Sequence, residues 1–222
     1  MSATDFLRQM SILLTLPVVV LLCVSATAIV VLRDWRLTLF AYGILSALLA
    51  ILLTQRIPAE WALLQAIVGG LVGVMLFLSA RQLQGAPATG RSREARWPQL
   101  ASPAIFRLLT MVLAAVAFVS VRSSIELPLV NTNFRDAIVW LVIAGTMGLA
   151  LHEEPLHAGL ALLTLIGGLL LLIFNLMLSR MIVGLLESWQ LLLGLAIAYL
   201  TVSRGLAGPD DGAEAASSWW ER

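Results

Sequence analysis

The sequence predicts an all-α membrane protein with about seven transmembrane helices. Three observations lead to this fold class: 60% of the 222 residues are hydrophobic, only 12% are charged, and the apolar residues form long runs. A water-soluble chain of this length needs more charge to cover its surface, so lipid is the expected solvent. Helices suit that solvent because they satisfy their own backbone hydrogen bonds, and about 20 apolar residues suffice to cross it.

The first span, Met10–Leu32, has 23 residues and is too long for the core of a signal peptide. Pro17 within it either kinks the helix or marks its true start. Pro58 and Glu60 give the third span a favourable helix start. The seven spans are Met10–Leu32, Leu37–Thr54, Trp61–Ala80, Ala104–Val121, Phe134–Leu151, Leu156–Leu178 and Met181–Val202.

Polar segments divide the chain. The stretch 81–102 holds several arginines among Gly, Pro and Ser and predicts a polar cytoplasmic loop. It separates three spans in residues 1–80 from four in residues 103–204, and residues 205–222 form a flexible C-terminal tail. No sequence repeat relates the two groups, which disfavours an inverted-repeat transporter.

Arginines predict the orientation. All 14 basic residues are Arg, and the seven-span topology places nine of them on one side and five on the other. The arginine-rich side should be cytoplasmic, which puts the N-terminus outside and the C-terminus inside. We expect the protein in the bacterial cytoplasmic membrane.

Glu187 is the first candidate for a functional residue because it stands about two turns inside the last span. A carboxylate in hydrocarbon is costly, and such residues usually face other helices or water and often serve ion movement. Gly184, Gln190 and Gly194 share its helix face, so that face should contact protein. Alternatively, Glu187 lies near the interface and pairs with Arg180.

Gln65, Gly69 and Gly73 stand four apart on one face of the third span. Small residues at this spacing allow close approach of two helices. We expect Gly69, Gly73, Gly184 and Gly194 to serve helix packing. Gln65 is either part of this seam or, with Glu187 and Gln190, part of a proton path.

The sequence indicates no catalytic residue, metal site or cofactor. Its two histidines, His152 and His157, flank two acids, but Pro155 interrupts the helix between them, and their spacing is not that of zinc proteases. A short turn before the sixth span explains these residues. The lone Cys23 excludes an internal disulfide or a cysteine metal cluster. No basic patch with interleaved aromatic residues exists, so nucleic acid is not an expected partner.

Two segments resemble a known group of proteins. The sequence Glu-Pro-Leu-His-Ala-Gly-Leu from Glu154 to Leu160, followed by a long apolar span, resembles the J-type membrane subunit of respiratory complex I. The segment Leu191–Thr201 is similar to K-type subunits and to the small subunits of Mrp antiporters and group 4 membrane hydrogenases. The length and the seven spans are similar to the E-type subunit of hydrogenase-4 complexes.

The resemblance implies a subunit of a proton- or cation-translocating complex of respiratory type. K-type subunits carry glutamates in two successive helices, whereas here Glu187 follows a span that offers Asn175 and no acid. The resemblance therefore does not imply a complete proton path in this chain. Antiporter-like subunits alternate buried Lys and Glu, and this chain has no Lys, so a self-sufficient pump is not expected.

We therefore expect an accessory, non-catalytic membrane subunit that supports helix packing and a proton path. Its expected partners are membrane lipids and other membrane subunits. Two alternatives remain. A stand-alone small-molecule transporter would need a polar central cavity. A purely structural subunit of a respiratory or photosynthetic assembly would need only apolar packing.

Overall fold

The computed structural model describes residues 3–55, 58–85, 103–122, 132–176 and 180–206, and every regular element within these ranges is an α-helix. The predicted all-α class is therefore confirmed. The seven helices of this part of the chain are α1 (Ala3–Val31), α2 (Trp35–Leu53), α3 (Ala59–Gly85), α4 (Pro103–Val121), α5 (Thr132–Leu151), α6 (Pro155–Leu176) and α7 (Arg180–Leu206).

By length and composition, five of these helices could cross a membrane. They are α2, α5 and α6 over their full lengths, α3 over Glu60–Gln82 and α7 over Gly184–Ser203. The other two contribute shorter apolar stretches, Leu16–Val31 in α1 and Ile105–Val121 in α4. The described residues thus form a helical membrane protein with seven helices, of which five are long and apolar enough to cross a membrane by length and composition.

Several helix ends differ from the expected spans. Pro17 lies inside α1, so it does not mark the start of the first helix. The third helix continues through Arg81 to Gly85, so the expected loop at 81–102 begins as helix, and its remainder, 86–102, lies outside the described residues. Helix α7 continues to Leu206, and 207–222 also lie outside them. Long polar side chains can extend from a helix end toward water, so a helix need not stop where its apolar run stops.

Two short connections fix neighbouring helices. Asp34 caps α2, and its side chain accepts a hydrogen bond from the backbone nitrogen of Arg36 at 3.1 Å. Thr38 adds a bond from its hydroxyl to the Asp34 carbonyl at 2.9 Å. The fifth and sixth helices are separated by residues 152–154, and α6 begins at Pro155, a position where the fixed φ of proline favours helix initiation.

Helix α5 packs along α6, α3 along α7, and α1 along both α2 and α5. The approach of α5 to α6 is close because Gly145 lies against Leu165, where an added Cβ would come within 2.7 Å of the Leu165 backbone. Apolar side chains also cover the outside of the bundle: Leu113 is 68% exposed and Leu185 is 72% exposed. An apolar exterior of this kind suits a lipid environment.

Candidate functional site

Glu187 lies on the face of α7 that packs against α3, and only 3% of its surface is exposed. Its neighbours Leu185 and Trp189 are largely exposed on the outer side of the same helix. The carboxyl group therefore faces protein, as its position among glycines and Gln190 on one helix face led us to expect. A carboxyl group buried this way needs hydrogen-bonding partners, since an unpaired polar group in an apolar interior is costly.

Gln65 provides that partner from α3. Its side-chain amide lies between Glu187 on one side and Gln190 on the other, and only 1% of the residue is exposed. With the amide nitrogen turned toward Glu187, it donates to Oε1 and lies 3.3 Å from Oε2. With the amide turned the other way, the nitrogen donates to Gln190 Oε1 at 3.3 Å. The Gln65 amide is thus within hydrogen-bonding distance of both Glu187 and Gln190, and its nitrogen donates to one of them at a time.

Gln190 and Tyr42 continue the polar contacts toward α2. The amide nitrogen of Gln190 lies 3.3 Å from the Tyr42 hydroxyl, and both residues are buried. The result is a polar chain of four side chains, Glu187, Gln65, Gln190 and Tyr42, that runs from α7 through α3 and back through α7 to α2. Ser46, one turn from Tyr42 on α2, adds a buried hydroxyl without a hydrogen-bond partner.

The glycines beside this polar chain have different surroundings. A Cβ at Gly69 of α3 would collide with Ser46 of α2, so these two helices approach closely at Gly69. A Cβ at Gly194 of α7 would come within 2.8 Å of Val72 of α3, so α7 and α3 approach closely at Gly194. At Gly73 the nearest atom would be Tyr42 Cδ1 at 3.9 Å, an ordinary contact. A Cβ at Gly184 would meet nothing within 4 Å, so the described helices do not pack on it.

Among the side chains that the structure describes, no arginine forms an ion pair with Glu187. The ion pairs there join Asp136 to Arg122 and Arg135, and His157 to Glu154. The alternative partner Arg180 begins α7 seven residues before Glu187, about 10 Å along the axis, and its side chain is outside the described ones. The carboxyl group of Glu187 therefore relies on the amide of Gln65.

The two histidines meet at the turn between α5 and α6. Their rings stack with centroids 5.2 Å apart, and His152 Nδ1 lies 2.9 Å from the Gly148 carbonyl. His157 Nδ1 is 2.9 Å from a Glu154 oxygen, within ion-pair distance but outside hydrogen-bond geometry. Burial lowers the pKa of His152, and the positive charge of Arg107 acts in the same direction. Within the described residues no group of three or more His, Cys, Asp or Glu side chains is placed to hold a metal.

Sequence reasoning proposed Glu187, Gln190 and Gln65, and the structure brings all three together. It missed Tyr42, which joins them from a helix that had drawn no functional interpretation. One signal was present: Thr38, Tyr42 and Ser46 stand four apart in a span that is otherwise largely apolar. Tyr42 and Ser46 therefore lie on one face of α2, and that face packs against α3.

These features define a class: a polytopic helical membrane protein in which a carboxyl group is buried among amides and a phenol. Comparison with known proteins gives no narrower assignment, since no family model, no curated protein and no solved structure matches the chain.

Proposed function

We propose that this protein is an accessory membrane subunit of a proton- or cation-translocating assembly of respiratory type, and that Glu187 is its proton-binding group. The observation that carries the proposal is the burial of Glu187 against the amide of Gln65, without a cationic partner among the described side chains. Ionisable groups inside the membrane are costly and commonly mark ion pathways. The resemblance of Glu154–Leu160 and Leu191–Thr201 to complex I and Mrp subunits supports the same class of assembly.

The bacterial cytoplasmic membrane, with the arginine-rich side inside, belongs to this proposal. In that orientation Glu187 lies nearer the outer surface, because α7 begins on the outer side at Arg180. The polar chain then extends from Glu187 inward to Tyr42, which lies near the middle of α2. Protons would have access to Glu187 from the outer side, and their onward route would need groups of a neighbouring subunit.

The stand-alone transporter remains the first alternative. It requires a polar cavity, and the groove of about 420 Å³ between α1, α4 and α5 does not supply one. Its walls are largely apolar, formed by residues such as Val24, Val31 and Leu108, with Trp140 at one side. The groove is open, as expected for a surface that contacts lipid chains.

Substitution of Glu187 by Gln tests the proposal. Gln has nearly the same shape and can bond to Gln65 but cannot bind and release a proton, so the assembly should purify intact while proton translocation in inverted membrane vesicles falls. Glu60→Gln is the matched control, since Glu60 is an exposed carboxylate at the start of α3 and its loss should leave translocation unchanged. Normal translocation in Glu187→Gln, or a wild-type protein that purifies alone from native membranes, would contradict the proposal.

A further inference from the structure

The four side chains of the polar chain can be joined by hydrogen bonds in two ways, which differ in direction. In the first, Gln65 donates to the Glu187 carboxylate. If the amide of Gln190 is turned as well, it can donate to the Gln65 oxygen and its own oxygen can accept from the Tyr42 hydroxyl. In the second, a protonated Glu187 donates to the Gln65 oxygen, Gln65 donates to Gln190 Oε1 at 3.3 Å, and Gln190 donates to the Tyr42 oxygen at 3.3 Å. An amide exchanges the two arrangements by turning over, since its nitrogen and oxygen ends have nearly the same shape.

The charge of Glu187 selects between these directions. An ionised carboxylate only accepts hydrogen bonds, whereas a carboxylic acid also donates one. Each residue of the polar chain is at most 3% exposed, so water cannot easily replace a missing partner. Protonation of Glu187 therefore adds one donor to the polar chain. If Gln65 and Gln190 keep their orientation, the added O–H of Glu187 has no acceptor within the polar chain. If Gln65, Gln190 and Tyr42 all reverse, Glu187 is paired and the free hydrogen is that of the Tyr42 hydroxyl on α2.

We propose that the polar chain is a hydrogen-bond switch in which protonation of Glu187 on α7 turns the Tyr42 hydroxyl on α2 from donor to acceptor. The inference deepens the proposed function at the same site, but it needs no partner subunit. The step is a simple proton uptake: one O–H bond forms on the Glu187 carboxylate with a proton from water, and ionisation returns it.

Gln65 and Gln190 are positioning residues in this switch and not proton carriers. Each amide keeps both of its hydrogens in both arrangements, so the proton remains on Glu187 and only the direction of the hydrogen bonds passes along the polar chain. In the protonated state the Tyr42 hydroxyl hydrogen is free to find a new acceptor. Ser46 Oγ, one turn further along α2, is buried without a hydrogen-bond partner and is the acceptor that this proposal assigns to it.

The chain has two tyrosines, which makes the switch measurable. Tyr199 is 71% exposed on α7 and can be replaced by Phe, so that Tyr42 becomes the sole tyrosine. In purified Tyr199→Phe protein, the tyrosine doublet in ultraviolet resonance Raman spectra reports whether the Tyr42 hydroxyl donates or accepts a hydrogen bond. Carbodiimide labelling, which requires a protonated carboxyl, reports Glu187 in parallel. We expect the doublet to change from donor to acceptor as the pH falls, over the range where labelling of Glu187 rises.

Two variants in the Tyr199→Phe background separate the switch from a static structural contact. Glu187→Gln should abolish both the labelling and the pH response of Tyr42. Gln190→Met should preserve the pH-dependent labelling of Glu187 and abolish the response of Tyr42, because it interrupts the polar chain between them. Two results with the Tyr199→Phe protein, which carries no further substitution, would overturn the switch. The first is a Tyr42 signal that stays constant while the labelling of Glu187 changes with pH. The second is a Glu187 that is not labelled at any pH. Neither result depends on whether the protein belongs to a translocating assembly, which co-purification and proton flux decide separately.

Discussion

Among the residues that the structure describes, two carboxyl groups are buried, and their surroundings differ. Asp136, near the N-terminal end of α5, is paired with Arg122 and with Arg135, whose side chain lies 3.1 Å away. Glu187 has the amide of Gln65 as its partner instead. Two arginines placed against one carboxylate compensate its burial, which makes the group suited to a structural role at a helix end. A carboxyl group held by an amide can be satisfied in either charge state, which makes it suited to exchanging a proton.

Buried His152 should make the stability of the protein depend on pH. Because burial lowers its pKa, the folded protein favours the neutral ring, and the unfolded chain takes up a proton first as the pH falls below about 6.5. The stability due to neutral His152 is thus present above that value and is lost as the pH falls toward the lower pKa of the folded state. We expect the thermal unfolding midpoint in detergent to decrease between about pH 7 and pH 5.

The matched variant is His152→Asn, which can still donate to the Gly148 carbonyl but does not titrate in this range. Its unfolding midpoint should depend less on pH than that of the wild type. Equal pH dependence of the two proteins would show that the buried ring contributes nothing to the effect.

At the scale of elements, the contact of α3 with α2 depends on one of two adjacent glycines. A Cβ at Gly69 would collide with Ser46 of α2, with the Ser46 Cβ only 2.8 Å away, whereas one at Gly70 would meet nothing within 4 Å. Gly69→Ala should therefore destabilise the protein by about 1–3 kcal/mol, as overpacking does. Gly70→Ala should be neutral or slightly stabilising, because Ala favours helix by about 1 kcal/mol over Gly. Thermal unfolding in detergent distinguishes them, and equal midpoints would contradict the assigned contact.

The sequence predicted the helices well, because their existence depends on local apolar runs. It predicted their ends less well. The apolar run of α3 ends before Arg81, but the helix continues to Gly85, because helical hydrogen bonding does not require apolar residues. The polar chain could not be predicted from the sequence, because it depends on which helices pack against each other. Gln65 and Gln190 are 125 residues apart, and no periodicity within one helix indicates which helix it will meet. Tyr42 could be placed beside Gln190 only once α2, α3 and α7 were assembled.

At the scale of the whole molecule, the proposed orientation can be tested by labelling. Helix α3 places Glu60 and Gly85 near opposite ends, about 38 Å apart along its axis. In a Cys23→Ala background, cysteines introduced within residues 85–96 should resist a membrane-impermeant maleimide in intact cells, because this side is the proposed cytoplasmic one. A cysteine at Glu60 should react, since it lies on the proposed outer side. The reverse pattern would invert the topology.

The exposed apolar surface of α7 is where we expect a neighbouring membrane subunit to bind. A subunit of a larger assembly should contact a neighbouring protein through part of its apolar exterior, and α7 offers such a surface: Leu192 and Leu195 are 62% and 56% exposed. Helices that carry functional polar groups are a natural place for such a contact, since the onward proton route proposed above needs groups from another chain. We therefore expect a photo-crosslinking amino acid at Leu195 to yield adducts with another membrane subunit in native membranes. Leu171 on α6 is the matched control, because it is fully buried and a crosslinker there should join only helices of this chain. Adducts of Leu195 with lipid alone would contradict the contact through this face and would favour the stand-alone transporter.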